Sequence, residues 1–340
     1  MYDLIIIGAG PSGLSCAIEA QQAGLNYLVI DKGSFVNAIH QFQRDMFFFS
    51  TPELLEIGNV PFVVSTARPT SLDCINYYRG VIEFYKLQCK FYETIISCSQ
   101  NERDFILIGS SRGEYRARAV VIATGYYDTP NPLDVSGESL PHVSHYYRDA
   151  SPYYQQDVTI IGGKNSAVEA ALDLFRHGAR VTMVHRGAKL SGNVKYWILP
   201  DFENRVAEGS IKFFLHTTVK QFLPGSTVVQ HFDGREQTIK TDFAFVLIGY
   251  RPEISFLRSF GIEIDAESLV PTFHPETYET NVHNLFVAGG LVGGKFNNKV
   301  FIENGREHGK RIVARLLEKK VEERACQGGT LRRRESQIKQ

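Results

Sequence analysis

Two stretches of this 340-residue chain share one design. Residues 5–13 read I-I-I-G-A-G-P-S-G, and residues 160–167 read I-I-G-G-K-N-S-A. Each is an apolar run that ends in glycine and opens a stretch of helical pattern, the start of a dinucleotide-binding βαβ unit. In the first, Gly8 permits the tight turn and Gly10 lets main chain approach a pyrophosphate. Gly13 lets the helix pack closely on its strand, and the phosphates meet the positive end of that helix. Counting 23 residues on from Gly8 reaches Asp31 at the end of the next strand, where a carboxylate hydrogen-bonds an adenosine ribose. The same count from Gly162 reaches His185, followed by Arg186. Cations there suit a 2′-phosphate, so the second unit should prefer NADPH to NADH, with Lys189 adding to the charge. Lys164 stands where a glycine is usual. Gly163 is expected to take up the close approach instead, with the Lys164 ammonium reaching either phosphate or solvent. Asn165, Ser166 and Ala167 complete the loop.

The surrounding pattern repeats in the same way. Strand 2–7, helix 11–23, a stop at Gly24 and strand 25–31 are followed by an aromatic-rich loop at 41–50 and a helix over 73–87. Short strands are expected at 90–98, 104–109 and 114–123, closing with A-T-G at 123–125. From 157 come a strand to 161, a helix over 165–177, a stop at Gly178 and a strand over 180–185. A helix over 194–208, a D-G turn at 233–234 and a strand over 243–250 follow. The chain thus reads as α/β, with a nucleotide-binding unit duplicated internally. The Pro-rich stretch 130–141 and G-Y-R-P at 249–252 are the expected crossings between two domains. The polar tail from 317 to 340 is expected to end in disorder.

Composition excludes some classes. The chain carries 37 basic and 37 acidic residues, so no charge footprint points to nucleic acid. No apolar run approaches the roughly 20 residues of a membrane span, and a strand that starts at Tyr2 leaves no room for a signal peptide. The reading is a cytoplasmic protein without a membrane partner. The five cysteines, at 16, 74, 89, 98 and 326, form no C-x-x-C, and the ten histidines form no ligand pattern. Reduced thiols and no metal are expected.

A third element, T-N-V-H-N-L-F-V-A-G-G at 280–290, is a buried strand ending in small residues. Together with A-T-G and the two loops it resembles the flavoproteins related to low-molecular-weight thioredoxin reductase, over about residues 1–316. Among these the chain resembles the YpdA-type bacillithiol-disulfide reductase family. The likeness rests on G-G-K-N-S-A (162–167), F-F-S (48–50), L-E-I-G-N-V-P-F (55–62), W-I-L-P-D-F-E (197–203) and K-V-F-I-E-N-G (299–305). Lys164 is then a family feature.

The resemblance implies two Rossmann-like domains, the second inserted in the first. FAD would lie on 1–125 and 253–316, NADPH on 126–252, and the chain would form a homo-oligomer. Gly8, Gly10, Pro11, Ser12 and Gly13 would hold the flavin pyrophosphate, Asp31 with Lys32 the ribose end, and Ser50 the flavin edge. Thr124 and Gly125 would face the adenosine side, and Gly289 with Gly290 the ribityl chain. Lys299 and Val300 would offer backbone N–H at a helix start to the flavin N1/O2 edge, where negative charge collects on reduction. Gly249 would join the NADPH set. The implied activity is hydride transfer from NADPH to FAD and onward to a small molecule, a low-molecular-weight disulfide being the first choice. Candidates on the substrate side are His145 and Arg148, with His308 as a proton source.

Two departures stand out. Seventeen residues before Gly162, where thioredoxin reductases carry C-x-x-C, this chain has His145-Tyr-Tyr-Arg148, so that route to thioredoxin is excluded. Ser12 stands where related reductases often have a cysteine proposed to act on the disulfide. The rival readings are a thioredoxin-reductase-like ferredoxin–NADP reductase and a flavin redox sensor without turnover.

Overall fold

Parallel strands covered on both faces read as unbroken apolar runs. Tyr2–Ile7 (β1) is one, with Leu4, Ile5 and Ile6 fully buried. In the computed structural model, which describes residues 1–100, 105–296 and 299–322, β1 lies inside a seven-stranded sheet. The other members are β2 (Tyr27–Ile30), β3 (Cys89–Lys90), β4 (Ile95–Gln100), β5 (Ile106–Ser110) and β6 (Gly113–Ile122), with a late strand described below. β1 pairs in parallel with β2 on one side and β6 on the other. The sheet therefore changes its direction of growth at β1, and open α/β sheets bind ligands beyond the carboxyl ends of the strands at such a point. β4, β5 and β6 form an antiparallel meander.

A second sheet is parallel throughout, in the order β10-β9-β8-β14-β7. Its strands are β7 (Val143–Ser144), β8 (Asp157–Gly162), β9 (Arg180–Val184), β10 (Ile211–Phe214) and β14 (Phe243–Leu247). Between the last two, β11 (Thr217–Leu223), β12 (Ser226–His231) and β13 (Glu236–Lys240) make an antiparallel sheet of three. The chain then returns: β15 (Leu285–Val287) pairs in parallel with β6 and completes the first sheet.

Helix ends follow local chemistry. The helix Pro11–Gln22 has proline in its first turn and stops at Gly24, whose φ of +68° suits glycine. Ser71–Tyr85 starts at a reciprocal pair in which the Thr70 hydroxyl accepts from the Asp73 N–H and the Asp73 carboxylate accepts from the Thr70 N–H.

Three boundaries differ from the sequence reading. Tyr92 adopts φ +55° and splits the expected strand 90–98 into β3 and β4. The helix expected from 194 begins at Leu199, with Pro200 in its first turn, because 194–198 is held as a turn by Asn165. The last strand of the repeat stops at Leu247. A helix also runs over 308–322, so the first residues of the expected tail are helical. The rest of that tail, including Cys326, lies outside the described residues.

The two crossings between the sheets run side by side. Asn131 N–H donates to the Gly249 carbonyl at 3.0 Å and Arg251 N–H to Thr129 at 2.9 Å. Three tyrosines cover this ladder: the Tyr127 and Tyr250 rings lie 4.2 Å apart, and Tyr146 lies 5.6–5.7 Å from both.

The glycines of the first loop divide by role. A Cβ on Gly13 would lie 1.9 Å from the Gly8 carbonyl oxygen, whereas a Cβ on Gly10 would meet nothing within 4 Å. Gly13→Ala should therefore cost about 3 kcal/mol or more through overpacking against main chain. Gly10→Ala should leave the unfolding free energy in urea within about 0.5 kcal/mol of wild type, and so the midpoint little moved. Equal midpoints for the two variants would show that the loop relaxes freely.

Candidate functional site

The carboxyl ends of β1 and β8 open onto one cleft of about 1100 Å³, and both glycine loops line it. On the first loop, Gly8 (φ +112°) is pressed against the Ala123 carbonyl, so the 123–125 turn backs the loop. The open space at Gly10 faces the cleft, where a bound anion would meet free main chain. Asp31 accepts from Ala9 N–H at 2.7 Å and from Gly33 N–H at 2.8 Å. A carboxylate offers about four acceptor positions, so two remain for hydroxyl groups. Burial raises its pKa, against those two N–H bonds. Lys32 pairs with Asp128 of the crossing at 3.0 Å.

Gly289 (φ +74°) abuts Ser12, and Gly290 abuts Tyr126; a side chain on either would collide. Pro11, Ser12, Thr124, Gly125 and Val300 also border the cleft. Lys299 does not, and the helix Ile302–Gly305 starts two residues after Val300 rather than at it. Ser50 lines the cleft, and its hydroxyl donates to Glu303. Glu303 lies within K-V-F-I-E-N-G, but no spacing in the sequence ties it to Ser50.

On the second loop the structure departs from simple symmetry with the first. The space beside Gly163 is filled by the His185 imidazole, whose ring atoms would lie 2.3–2.8 Å from a Cβ there. His185 Nε2 sits 3.1 Å from the Lys189 carbonyl. The ring therefore braces the turn. Arg186 and Lys189 are exposed on the cleft with no carboxylate partner among the described residues. Lys164 caps the helix Asn165–Arg176 with extended backbone and an exposed side chain. Gly162 packs on the Leu247 carbonyl and on Ala167. Gly249 (φ +94°) sits at the crossing, in contact with Asn131.

Asn165 lines the cleft and also braces the segment beside it. Its amide bonds Asn193 O and Lys195 N–H at 3.1 and 2.7 Å, which pins the segment carrying Lys195. Lys195 is buried, and its Nζ donates to Glu169 at 2.5 Å and to the Phe47 carbonyl at 2.8 Å. Phe47 belongs to the aromatic loop beside the first sheet, so this pair bridges the two lobes. Burial pushes the Glu169 carboxyl upward against the pull of Lys195. Alongside, the Arg68 guanidinium lies over Trp197 at 4.4 Å and over Phe49 at 5.4 Å.

The substrate-side candidates do not join the cleft. His145 is held by Glu138 at 3.2 Å, and its carbonyl accepts from Tyr250. Arg148 is exposed and contributes its carbonyl to Arg44 N–H across the lobes. The count that placed them on the substrate side located a position in the chain, and here the crossing absorbs it. His308 is buried behind the Gly289 turn. Its Nδ1 accepts from Gly289 N–H at 3.1 Å and its ring stacks on Tyr278. Burial lowers its pKa to about 4, so it is neutral at pH 7 and holds its proton on Nε2.

No cysteine among the described residues borders the cleft. Burial raises the thiols of Cys16, Cys89 and Cys98 to about 12 and that of Cys74 further. Among the described residues no cluster of ligating side chains could hold a metal ion, and no helix is long and apolar enough to cross a membrane.

A family model described as pyridine nucleotide-disulphide oxidoreductase matches residues 5–289. The bacilliredoxin reductase Bdr of Bacillus subtilis (strain 168) is 42% identical over 315 residues, 93% of this chain and 97% of that protein. Two solved structures are similar throughout, the bacillithiol disulfide reductases Bdr (YpdA) from Bacillus cereus and Staphylococcus aureus. Their TM-scores are 0.91 and 0.90, at 40% and 39% identity, and each match covers 94% of this chain and 99% of the other.

Removing one partner of a buried ion pair strands the other charge away from water. Lys195→Met should therefore destabilise the protein by about 3–5 kcal/mol in urea unfolding. Lys195→Met with Glu169→Leu should recover most of that loss. A double variant as unstable as the single one would show that packing, not the stranded carboxylate, is responsible.

Proposed function

The chain belongs to the pyridine nucleotide-disulphide oxidoreductase family and is an oxidoreductase using FAD and NADPH; we propose that its acceptor is a low-molecular-weight disulfide. That is the substrate class for which its Staphylococcus aureus and Bacillus cereus relatives are named. In this reading residues 1–125 and 253–316 hold FAD, and 126–252 hold NADPH. The observation that carries it is the single cleft shared by the two glycine loops, one edged by a carboxylate and the other by two exposed cations.

The residues present fit both groups. Main chain at Gly10 is open to a pyrophosphate, and Asp31 keeps acceptor positions for ribose hydroxyls. When bound, the cofactors supply hydride transfer from nicotinamide to flavin and an electron pair for the disulfide. One NADPH and one proton are consumed for each disulfide opened to two thiols. The protein's part is placement. Arg186 and Lys189 hold a 2′-phosphate, and the N-terminus of Asn165–Arg176 meets the second pyrophosphate. Ser50, fixed by Glu303, marks the flavin edge in the cleft. The Lys195–Glu169 pair keeps the two loops facing each other so that the reacting atoms stay close.

Because none of the four described thiols borders the cleft and Ser12 cannot form a mixed disulfide, electrons reach the acceptor without any of those four thiols as relay.

Two outcomes follow. Arg186→Ala should raise the NADPH KM about tenfold or more while changing the NADH KM little, since only the former carries the 2′-phosphate. Equal changes would remove the 2′-phosphate role. Iodoacetamide treatment of the native holoenzyme should leave NADPH-driven disulfide reduction within about twofold of the untreated rate; abolition would restore a thiol relay.

A further inference from the structure

A second cavity, of about 490 Å³, lies on the other side of the turn 289–293 from the cleft. Val300 lines both spaces and is their common wall. The second cavity has aromatic sides, Phe273, Tyr278 and Phe296. Two cations stand on it, Lys299 and Arg311, and neither has a carboxylate partner among the described residues. The one acidic residue on its lining, Glu307, is engaged by Arg306 at 3.6 Å. Asn304 is spent on its own turn, bonding Phe301 N–H and the Lys299 carbonyl.

The group that gives this cavity chemical meaning is His308. It is 5% exposed, and its Nδ1 is committed to Gly289 N–H. The proton therefore sits on Nε2, which has no partner among the described residues and borders the cavity. His308 lines the cavity, so this N–H is a donor open to an acceptor supplied from outside. Gly289 also abuts Ser12, which places the inner end of the cavity next to the first glycine loop.

We propose that this cavity is the docking site of the acceptor, a small disulfide bearing carboxylates. Lys299 and Arg311 hold its carboxylates at the mouth, the aromatic sides enclose its apolar body, and His308 Nε2–H donates to it at the inner end. The assignment rests on the function proposed above. It adds that reductant and acceptor enter from different sides of the Val300 wall, so neither must leave before the other binds.

The test uses the FAD-loaded protein and two half-reactions followed by flavin absorbance without oxygen. Arg311→Gln removes a mouth cation, and Val270→Trp fills the cavity from its rim. Bleaching by NADPH should proceed at the wild-type rate in both variants. Reoxidation by bacillithiol disulfide should be slowed five- to tenfold in Arg311→Gln, as expected for loss of one charged hydrogen bond at an exposed site. Reoxidation by the uncharged 2-hydroxyethyl disulfide should be unaffected in Arg311→Gln and slowed in Val270→Trp. If both variants are reoxidised by bacillithiol disulfide as fast as wild type, the cavity assignment is overturned and the proposed function stands. If the wild-type flavin bleaches with NADPH but neither disulfide reoxidises it, the function itself is overturned. Should Val270→Trp lose its flavin, the contrast between the two disulfides in Arg311→Gln decides alone.

Discussion

A lysine ammonium and a glutamate carboxylate, buried together under one backbone carbonyl, hold the two sheets in their relative positions. Lys195 and Glu169 both come from the second lobe, and the Phe47 carbonyl comes from the loop beside the first. Such a pair adds little net stability, because desolvation offsets much of the attraction. Its effect is to penalise alternatives, since an arrangement that moves Phe47 away leaves a donor on Lys195 unmatched. The tyrosine-covered crossing acts similarly at the other end of the cleft, where Asn131 and Gly249 share a ladder rung. Between these two ties the glycine loops face each other, and the chemistry assigned to the cleft depends on that.

Much of this was legible in the chain. Gly8, Gly13, Gly24 and Gly178 each mark a place where main chain must turn or touch main chain, a local demand that leaves a local residue. The two-fold repeat followed from such punctuation, and the apolar runs of β1 and β8 from burial on both faces. The contribution of β15 to the first sheet was less accessible, because three residues of strand say nothing about where they pair.

The functional residues that no sequence pattern marks share one property. Lys195, Glu303 and the three crossing tyrosines act through partners more than a hundred residues away or across a lobe boundary, so no spacing announces them. His185 has a structural role that spacing does not announce. Counting places it beside Arg186, and in the structure its ring also fills the hole that Gly163 leaves and so shapes the turn that presents Arg186 and Lys189. His145 and Arg148 occupy the position of an absent dithiol, and nothing in the fold requires that position to remain in the cleft once the dithiol is gone.

The sandwich of Arg68 between Phe49 and Trp197 has a consequence for observation. The chain contains one tryptophan, and it sits on a loop of the second lobe while the guanidinium and phenyl ring against it belong to the first. Its emission therefore measures the gap between the lobes with no dye attached. Whatever swivelling accompanies nucleotide exchange is written in the colour of that single indole.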